Sequence, residues 1–170
     1  SGEPAFKNSL VEVHPSVPQW SAVLLSTHEV QMPDVSYWIK VRMYDHWQYL
    51  LADDLTLDNP EDLWHQFSGN QKCLRLLDPA NGVYRFAQIN KQGKLGCVLF
   101  IAPDQSLTHL DWIGDKFSYK TLTDEDRSRI LEGHPPRNRY SHKQIICSCN
   151  RIDSTRIENA ISEGAHSVSE

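Results

Sequence analysis

The chain is predicted to be an α+β domain built on an antiparallel β meander sheet with packed helices, followed by a short C-terminal helical segment. Three features point there. Residues 37–43 alternate apolar and polar with period 2, residues 72–102 form three apolar runs separated by turn residues, and two helix starts carry capping chemistry at Asn59 and Thr123. With 170 residues, an apolar content of 39% and five Trp, there is enough material for one sizeable core and appendages.

Taken in order, residues 1–19 are rich in Pro and Ser and read as an extended linker. They hold one alternating run, Leu10-Val11-Glu12-Val13. Residues 22–26 form a short strand, and Met32-Pro33-Asp34 is a turn or loop. In the next strand Tyr37, Ile39, Val41 and Met43 share one face, with Trp38, Lys40 and Arg42 on the other, so a half-buried strand is expected. Residues 47–52 are its partner across the Tyr44-Asp45-His46 turn, where His46 reads as a turn residue. Asn59-Pro60-Glu61-Asp62 then opens a helix with an N-cap, Pro at the first position and acids in the first turn. Leu63, Trp64 and Phe67 form its buried side, His65 falls outward, and Gly69 closes it.

Within 72–102, Cys73–Leu77 is a strand, Asp78-Pro79-Ala80-Asn81-Gly82 a turn, and Val83–Ile89 a second strand. Asn90-Lys91-Gln92-Gly93 makes the next turn, and residues 94–101 a third strand whose apolar run implies burial on both faces. Gly96 inside that run signals a bulge or a close backbone contact. Cys73 and Cys97 lie in strands and read as small core hydrophobes. Leu110, Trp112, Ile113 and Phe117 suit a helical segment packed on the sheet. Thr123-Asp124-Glu125-Asp126 starts a further helix, with Ile130 and Leu131 packing and Gly133-His134-Pro135-Pro136 ending it. Residues 137–143 are a basic, polar tether, read equally as a solvated loop or a docking surface.

Bulk properties narrow the function classes. A formal net charge of −5 with no long basic run argues against nucleic acid and anionic membranes as partners. No stretch approaches a membrane-spanning run, no basic-then-apolar leader is visible, and four irregularly spaced cysteines suit a reducing cytoplasm. No phosphate-cradling glycine loop and no nucleophile–base pair at a suggestive spacing is present, so no catalytic centre is expected in these residues.

The chemistry concentrates in Gln144-Ile145-Ile146-Cys147-Ser148-Cys149-Asn150. An apolar pair carries Cys147 and Cys149 out of a core at the end of a short strand, and Ser148 is small enough to let both thiols face one centre. A helix is expected next: Asp153 or Ser154 serves as N-cap, Thr155 and Glu158 have capping-box spacing, Ile157, Ala160 and Ile161 share a face, and Gly164 is the stop. The positive end of that helix would sit beside the thiolates. Two other readings of the cysteines remain open. They are an incidental reduced pair, or a zinc site with His134 and His142, although the four ligands lack the tight paired spacing of zinc modules.

This C-x-C followed by a capped helix resembles the first half of a bacterioferritin-associated-ferredoxin-like [2Fe–2S] domain, in which a later C-x-x-C completes the ligand set. The second pair is not in this sequence, so the resemblance implies a truncated domain over 137–170, with Cys147 and Cys149 as half of the cluster's ligands. The remainder of the chain is similar to the C-terminal region of bacterial assimilatory nitrate reductase catalytic subunits. Ser1-Gly2-Glu3-Pro4-Ala5-Phe6-Lys7 resembles the end of their molybdopterin-dinucleotide-binding domain. The accessory domain, residues 20–136, carries Tyr84-Arg85-Phe86-Ala87, the run from Gly93 to Pro103, Asp111-Trp112-Ile113 and Asp124-Glu125-Asp126-Arg127 in matching order.

The resemblance implies the electron-entry and scaffold part of a cytoplasmic enzyme reducing nitrate to nitrite, inert as an isolated fragment. Molybdenum and molybdopterin guanine dinucleotide would belong to the parent enzyme and not to these residues. The [2Fe–2S] cluster would form only in the full-length protein. Implied partners are the remainder of that chain and an electron donor: a reductase subunit, ferredoxin or flavodoxin. Two other classes fit the same phrases: a non-catalytic interaction module, and the tail of a flavin-dependent nitrite reductase or ferredoxin-type reductase.

Overall fold

A computed structural model describes residues 17–69, 72–103, 110–135, 145–147 and 152–165. The expected α+β architecture is present as a six-stranded, wholly antiparallel sheet with helices on both faces. Its strands are β1 (Trp20–Ser26), β2 (Tyr37–Arg42), β3 (Trp47–Asp53), β4 (Leu74–Asp78), β5 (Val83–Ile89) and β6 (Leu95–Ala102), in the order β2-β3-β1-β6-β5-β4. Two hairpins make the meander β4-β5-β6, whose last strand returns to the centre and pairs with β1, with Leu24 opposite Leu99. On the other flank β2 and β3 form a hairpin across the expected turn, closed by the Met43 N–H donating to the His46 carbonyl at 2.9 Å.

Because side chains alternate along a strand, β1 and β6 each feed two cores. On one face Trp20, Ala22 and Leu24 of β1 meet Cys97, Leu99 and Ile101 of β6 beneath α1 (Pro60–Ser68). The helix inserts Leu63, Trp64 and Phe67, with Trp64 stacked on Phe86 at 5.4 Å between centroids. Its start is as the sequence implies: the Asn59 side chain accepts from the Glu61 N–H at 3.1 Å, and Pro60 occupies the first turn. On the opposite face Val23, Leu25, Val98 and Phe100 lie under Trp112, Ile113, Phe117, Leu122 and Ile130. Those residues come from α2 (Leu110–Asp115), a 3₁₀ turn at Lys116–Ser118, α3 (Asp124–Arg129) and their flanks. Each such side chain, fully buried, contributes about 1.5–3 kcal/mol.

Gly96 is the extra residue of a β-bulge, since Gln88 opposes Cys97 while Ile89 opposes Leu95. That offset moves Leu95 to the α2 and α3 face and leaves Cys97 on the α1 face. A Cβ at Gly96 would come within 3.3 Å of the Gln88 Oε1 atom, so the close approach expected there is present too.

Three expectations change. β2 is an edge strand with all six residues exposed, so Tyr37, Ile39 and Val41 are not half-buried; no described helix covers them, and Met43 just beyond the strand is buried. His46 does sit in the turn, but it is buried against Phe117, the rings 4.9 Å apart. Cys73 falls one residue before β4 and is partly buried.

A buried ion pair joins the two helical pieces on the second face. Lys116 Nζ lies 2.9 Å from Asp126 Oδ1, both side chains being 9% exposed, and the ammonium also sits 4.4 Å from the Tyr119 ring centroid and 5.1 Å from that of Trp112. Thr123 caps α3 by accepting from the Asp126 N–H at 3.1 Å, and its hydroxyl donates to Asp126 Oδ2 at 2.9 Å. Burial alone would raise the Asp126 carboxyl; the bonds from Lys116 and Thr123 outweigh it and hold the group below its ordinary value of 3.8. Arg85 anchors the end of this segment, donating to the Leu131 and Glu132 carbonyls at 2.8 and 2.6 Å.

Asp126→Asn is expected to destabilise the domain by about 2–3 kcal/mol in urea unfolding, because it strands the Lys116 charge. The folded carboxyl titrates below the unfolded one. Its contribution should therefore be complete above about pH 4 and disappear as pH falls through the folded value. The variant's deficit should shrink over that acid range.

Candidate functional site

The expected short strand is present where the cysteine segment is described, but Ile146, expected to lead out of a core, is exposed. β7 (Ile145–Cys147) pairs antiparallel with β8 (Ile152–Asp153), Cys147 lying opposite Ile152 and Ile145 opposite Asp153. Ile146 is the bulged residue between those two pairs and is 55% exposed. Cys147 is a partly buried free thiol at the strand's end. Cys149, the second sequence-predicted ligand, lies outside the described residues, as do His142 and the tether at 137–143.

β8 runs directly into α4 (Ser154–Ser162), so the helix N-terminus starts next to the strand that carries Cys147. Of the two caps the sequence offers, Asp153 is used: its carboxylate accepts from the Arg156 N–H at 2.9 Å. With Asp153 as cap, Thr155 and Glu158 do not form the capping box, because the third helical position is Arg156. The helix stops at Gly164 with φ +102°. The Gly164 N–H donates to Ile161 at 3.1 Å and the Ala165 N–H to Ala160 at 3.0 Å, the paired bonds of a Schellman motif. None of the α4 side chains is buried, and Ile157 and Ile161 of its apolar face are 37% and 62% exposed.

Among the described residues, a polar cluster joins this element to the sheet domain. Arg156 Nη2 donates to Asp45 Oδ2 at 2.6 Å and to the Ser118 hydroxyl oxygen at 2.9 Å, while the Ser118 hydroxyl donates to the same Asp45 oxygen. The guanidinium also lies 4.7 Å from the Tyr44 ring centroid. One side chain thus reaches the β2–β3 turn and the 3₁₀ turn after α2 together. Sequence reasoning missed Arg156, Asp45 and Ser118, since nothing local marks charges that meet across 111 residues.

Cys97 and Cys73 belong to the sheet domain's core beneath α1. Cys97 is fully buried in the core below α1, and burial pushes its thiol up to about 12. Cys73 packs at the edge of that core, and burial raises its thiol as well. Among the described residues no group of three or more His, Cys, Asp or Glu is arranged to hold a metal ion. His134 is exposed and lies 3.7 Å from Glu132. A [2Fe–2S] centre takes four cysteine ligands as a rule, and the described residues bring one. They do not fit a complete cluster.

No protein-family model, curated protein or solved structure matches this chain. No described helix is long and apolar enough to cross a membrane.

Two outcomes follow. Cys97→Ala is expected to cost about 1 kcal/mol through a small cavity and to leave any metal content unchanged, measured by urea unfolding and elemental analysis. Arg156→Ala should lower overall stability by no more than about 1 kcal/mol, the pair being partly solvated, yet selectively accelerate amide exchange in α4. Equal acceleration in β1 and β6 would contradict a purely local tie.

Proposed function

We propose that this chain is the C-terminal electron-entry and scaffold region of a cytoplasmic molybdenum-dependent nitrate reductase, which converts nitrate to nitrite. Cys147 and Cys149 would be half of a [2Fe–2S] ligand set, and the sheet domain the platform that holds them. The observation that carries the reading is the placement of Cys147: a two-stranded ladder sets it at the end of β7, beside the strand that opens into the N-terminus of α4. Helix N-termini favour negative charge by about 0.3–1 kcal/mol, which suits an anionic metal–sulfur centre. The ordered run of sequence phrases from Ser1 to Cys149 adds the parent-enzyme context.

When bound, such a cluster supplies one-electron transfer. The chain's own residues would do the positioning. Asp153 fixes the helix start, and Arg156, through Asp45 and Ser118, fixes the element against the sheet. Molybdenum and its molybdopterin guanine dinucleotide would sit in the parent chain, and electrons would arrive from a reductase subunit, ferredoxin or flavodoxin. A second reading, a non-catalytic interaction module, is favoured by one observation, the exposed apolar flank of the sheet at Tyr37, Trp38, Ile39 and Val41.

Ligand counting makes the test direct. The 170 residues are expected to purify colourless and without a cluster. The chain extended by its natural reading frame should be brown, with iron and acid-labile sulfide in equal amounts, and Cys147→Ser should abolish both. A stop codon after Glu170 would sink the nitrate reductase reading. Tight iron binding by the 170 residues as a monomer would show the ligand count to be wrong, and stoichiometric zinc dependent on His134 and His142 would replace the cluster with a zinc site.

A further inference from the structure

Where the β5–β6 turn meets α3, Lys72, Leu74, Ile89, Lys91, Arg127 and Ser128 line a pocket of about 550 Å³. Its walls are braced. Asn90 Oδ1 accepts from the Gln92 and Lys94 N–H groups at 2.9 Å each, which sets the turn. The Thr121 hydroxyl donates to the Gln92 carbonyl at 3.2 Å and the Leu122 N–H to the Gly93 carbonyl at 2.8 Å. Those two bonds fasten the turn to the residues that lead into α3. Gly93, with φ +81°, leaves room for the Arg127 guanidinium, since a Cβ there would lie 2.4 Å from Nη2.

Three of the lining side chains are cations, in a chain of formal net charge −5, and no Asp or Glu is among the described residues that line the pocket. Lys72 and Lys91 hold no carboxylate among the described residues. Arg127 is half-buried, with its side chain 41% exposed, and its ion-pair partner Asp124 lies 4.0 Å away with a fully exposed side chain. The buried Arg127 Nε donates to no acceptor among the described residues. Packing against Gly93, rather than a structural carboxylate, therefore places this guanidinium. A planar guanidinium presents paired N–H groups that match two oxygens of a carboxylate or phosphate.

We propose that this pocket binds the phosphate group of a small phosphate monoester, with Leu74 and Ile89 receiving an apolar body. Charge separates the two oxyanions. A carboxylate would compensate one of the three cations, whereas a phosphate monoester carries about −1.5 to −2 near neutral pH. The site is independent of the proposed cluster, since it uses neither Cys147 nor α4.

Isothermal titration of the 170-residue chain with phenyl phosphate, in phosphate-free buffer at low salt, should show one saturable site. Benzoate should bind about tenfold more weakly, and Arg127→Gln should weaken phenyl phosphate by about tenfold or more. Inorganic phosphate should compete, but less tightly because it leaves Leu74 and Ile89 uncovered. Lys72→Gln with Lys91→Gln, both on exposed side chains, should also weaken binding and keeps the test valid if Arg127→Gln does not fold. No saturable binding of phenyl phosphate, or affinity unchanged in the folded variants, would overturn the proposal. Benzoate binding as tightly as phenyl phosphate would overturn the phosphate assignment. A phosphoserine peptide binding more tightly than phenyl phosphate would overturn the small-molecule assignment.

Discussion

The pairing of β1 with β6 is the constraint on which the rest of the molecule depends. Val23 faces Phe100 and Leu24 faces Leu99, so adjacent residues of one ladder enter opposite cores. Neither core closes without that contact: α1 packs on residues contributed by both strands from one side, and Trp112, Ile113, Phe117 and Ile130 pack on both from the other. The two strands come from opposite ends of the sheet domain, separated by two hairpins and a helix. Loop closure on that scale costs conformational entropy before any burial repays it, so the domain should fold as a unit and comparatively slowly for its size. The flanks β2-β3 and β5-β4 are then extensions of a centre already specified.

This division explains what could be read from the residues. The meander was legible because its information is local: Asp78-Pro79-Ala80-Asn81-Gly82 and Asn90-Lys91-Gln92-Gly93 specify turns within a few residues of the strands they join. The helix starts at Asn59 and Thr123 were legible for the same reason. The order of strands was not, since the insertion of β1 between β3 and β6 leaves no local mark. Alternation in 37–43 states which face of β2 is apolar, but it is silent on whether another element covers that face; none described does. Lys116 and Asp126 were hidden differently. A lysine in a short segment reads as solvated until Trp112, Tyr119 and the capped start of α3 converge on it.

The same distinction separates the candidate site from its support. The short strand ending at Cys147, the cap at Asp153 and the stop at Gly164 are nearest-neighbour features, and each was readable within a residue or two. The tie of Arg156 to Asp45 and Ser118 was not, although it links α4 to the sheet domain. The two parts of the molecule are consequently held by different physics. The sheet domain rests on two apolar cores with a buried ion pair between helices, while the cysteine element rests on exposed helix turns and a partly solvated guanidinium.

Those magnitudes rank what the chain would contribute to the proposed metal–sulfur site. The positive end of α4 offers about 0.3–1 kcal/mol toward an anionic centre, and the Arg156 tie about 1 kcal/mol of orientation. Metal–thiolate bonding in structural sites amounts to about 10–16 kcal/mol spread over a whole ligand set. Helix placement and tethering therefore cannot substitute for a missing thiolate; they only decide where a complete set would be presented. Cys97 cannot make up the number, because its sulfur lies inside the core beneath α1 and giving it up would open that core. For the proposed cluster the decisive quantity is accordingly how many cysteines can meet Cys147 at the end of β7, an end that the sheet domain would hold in place.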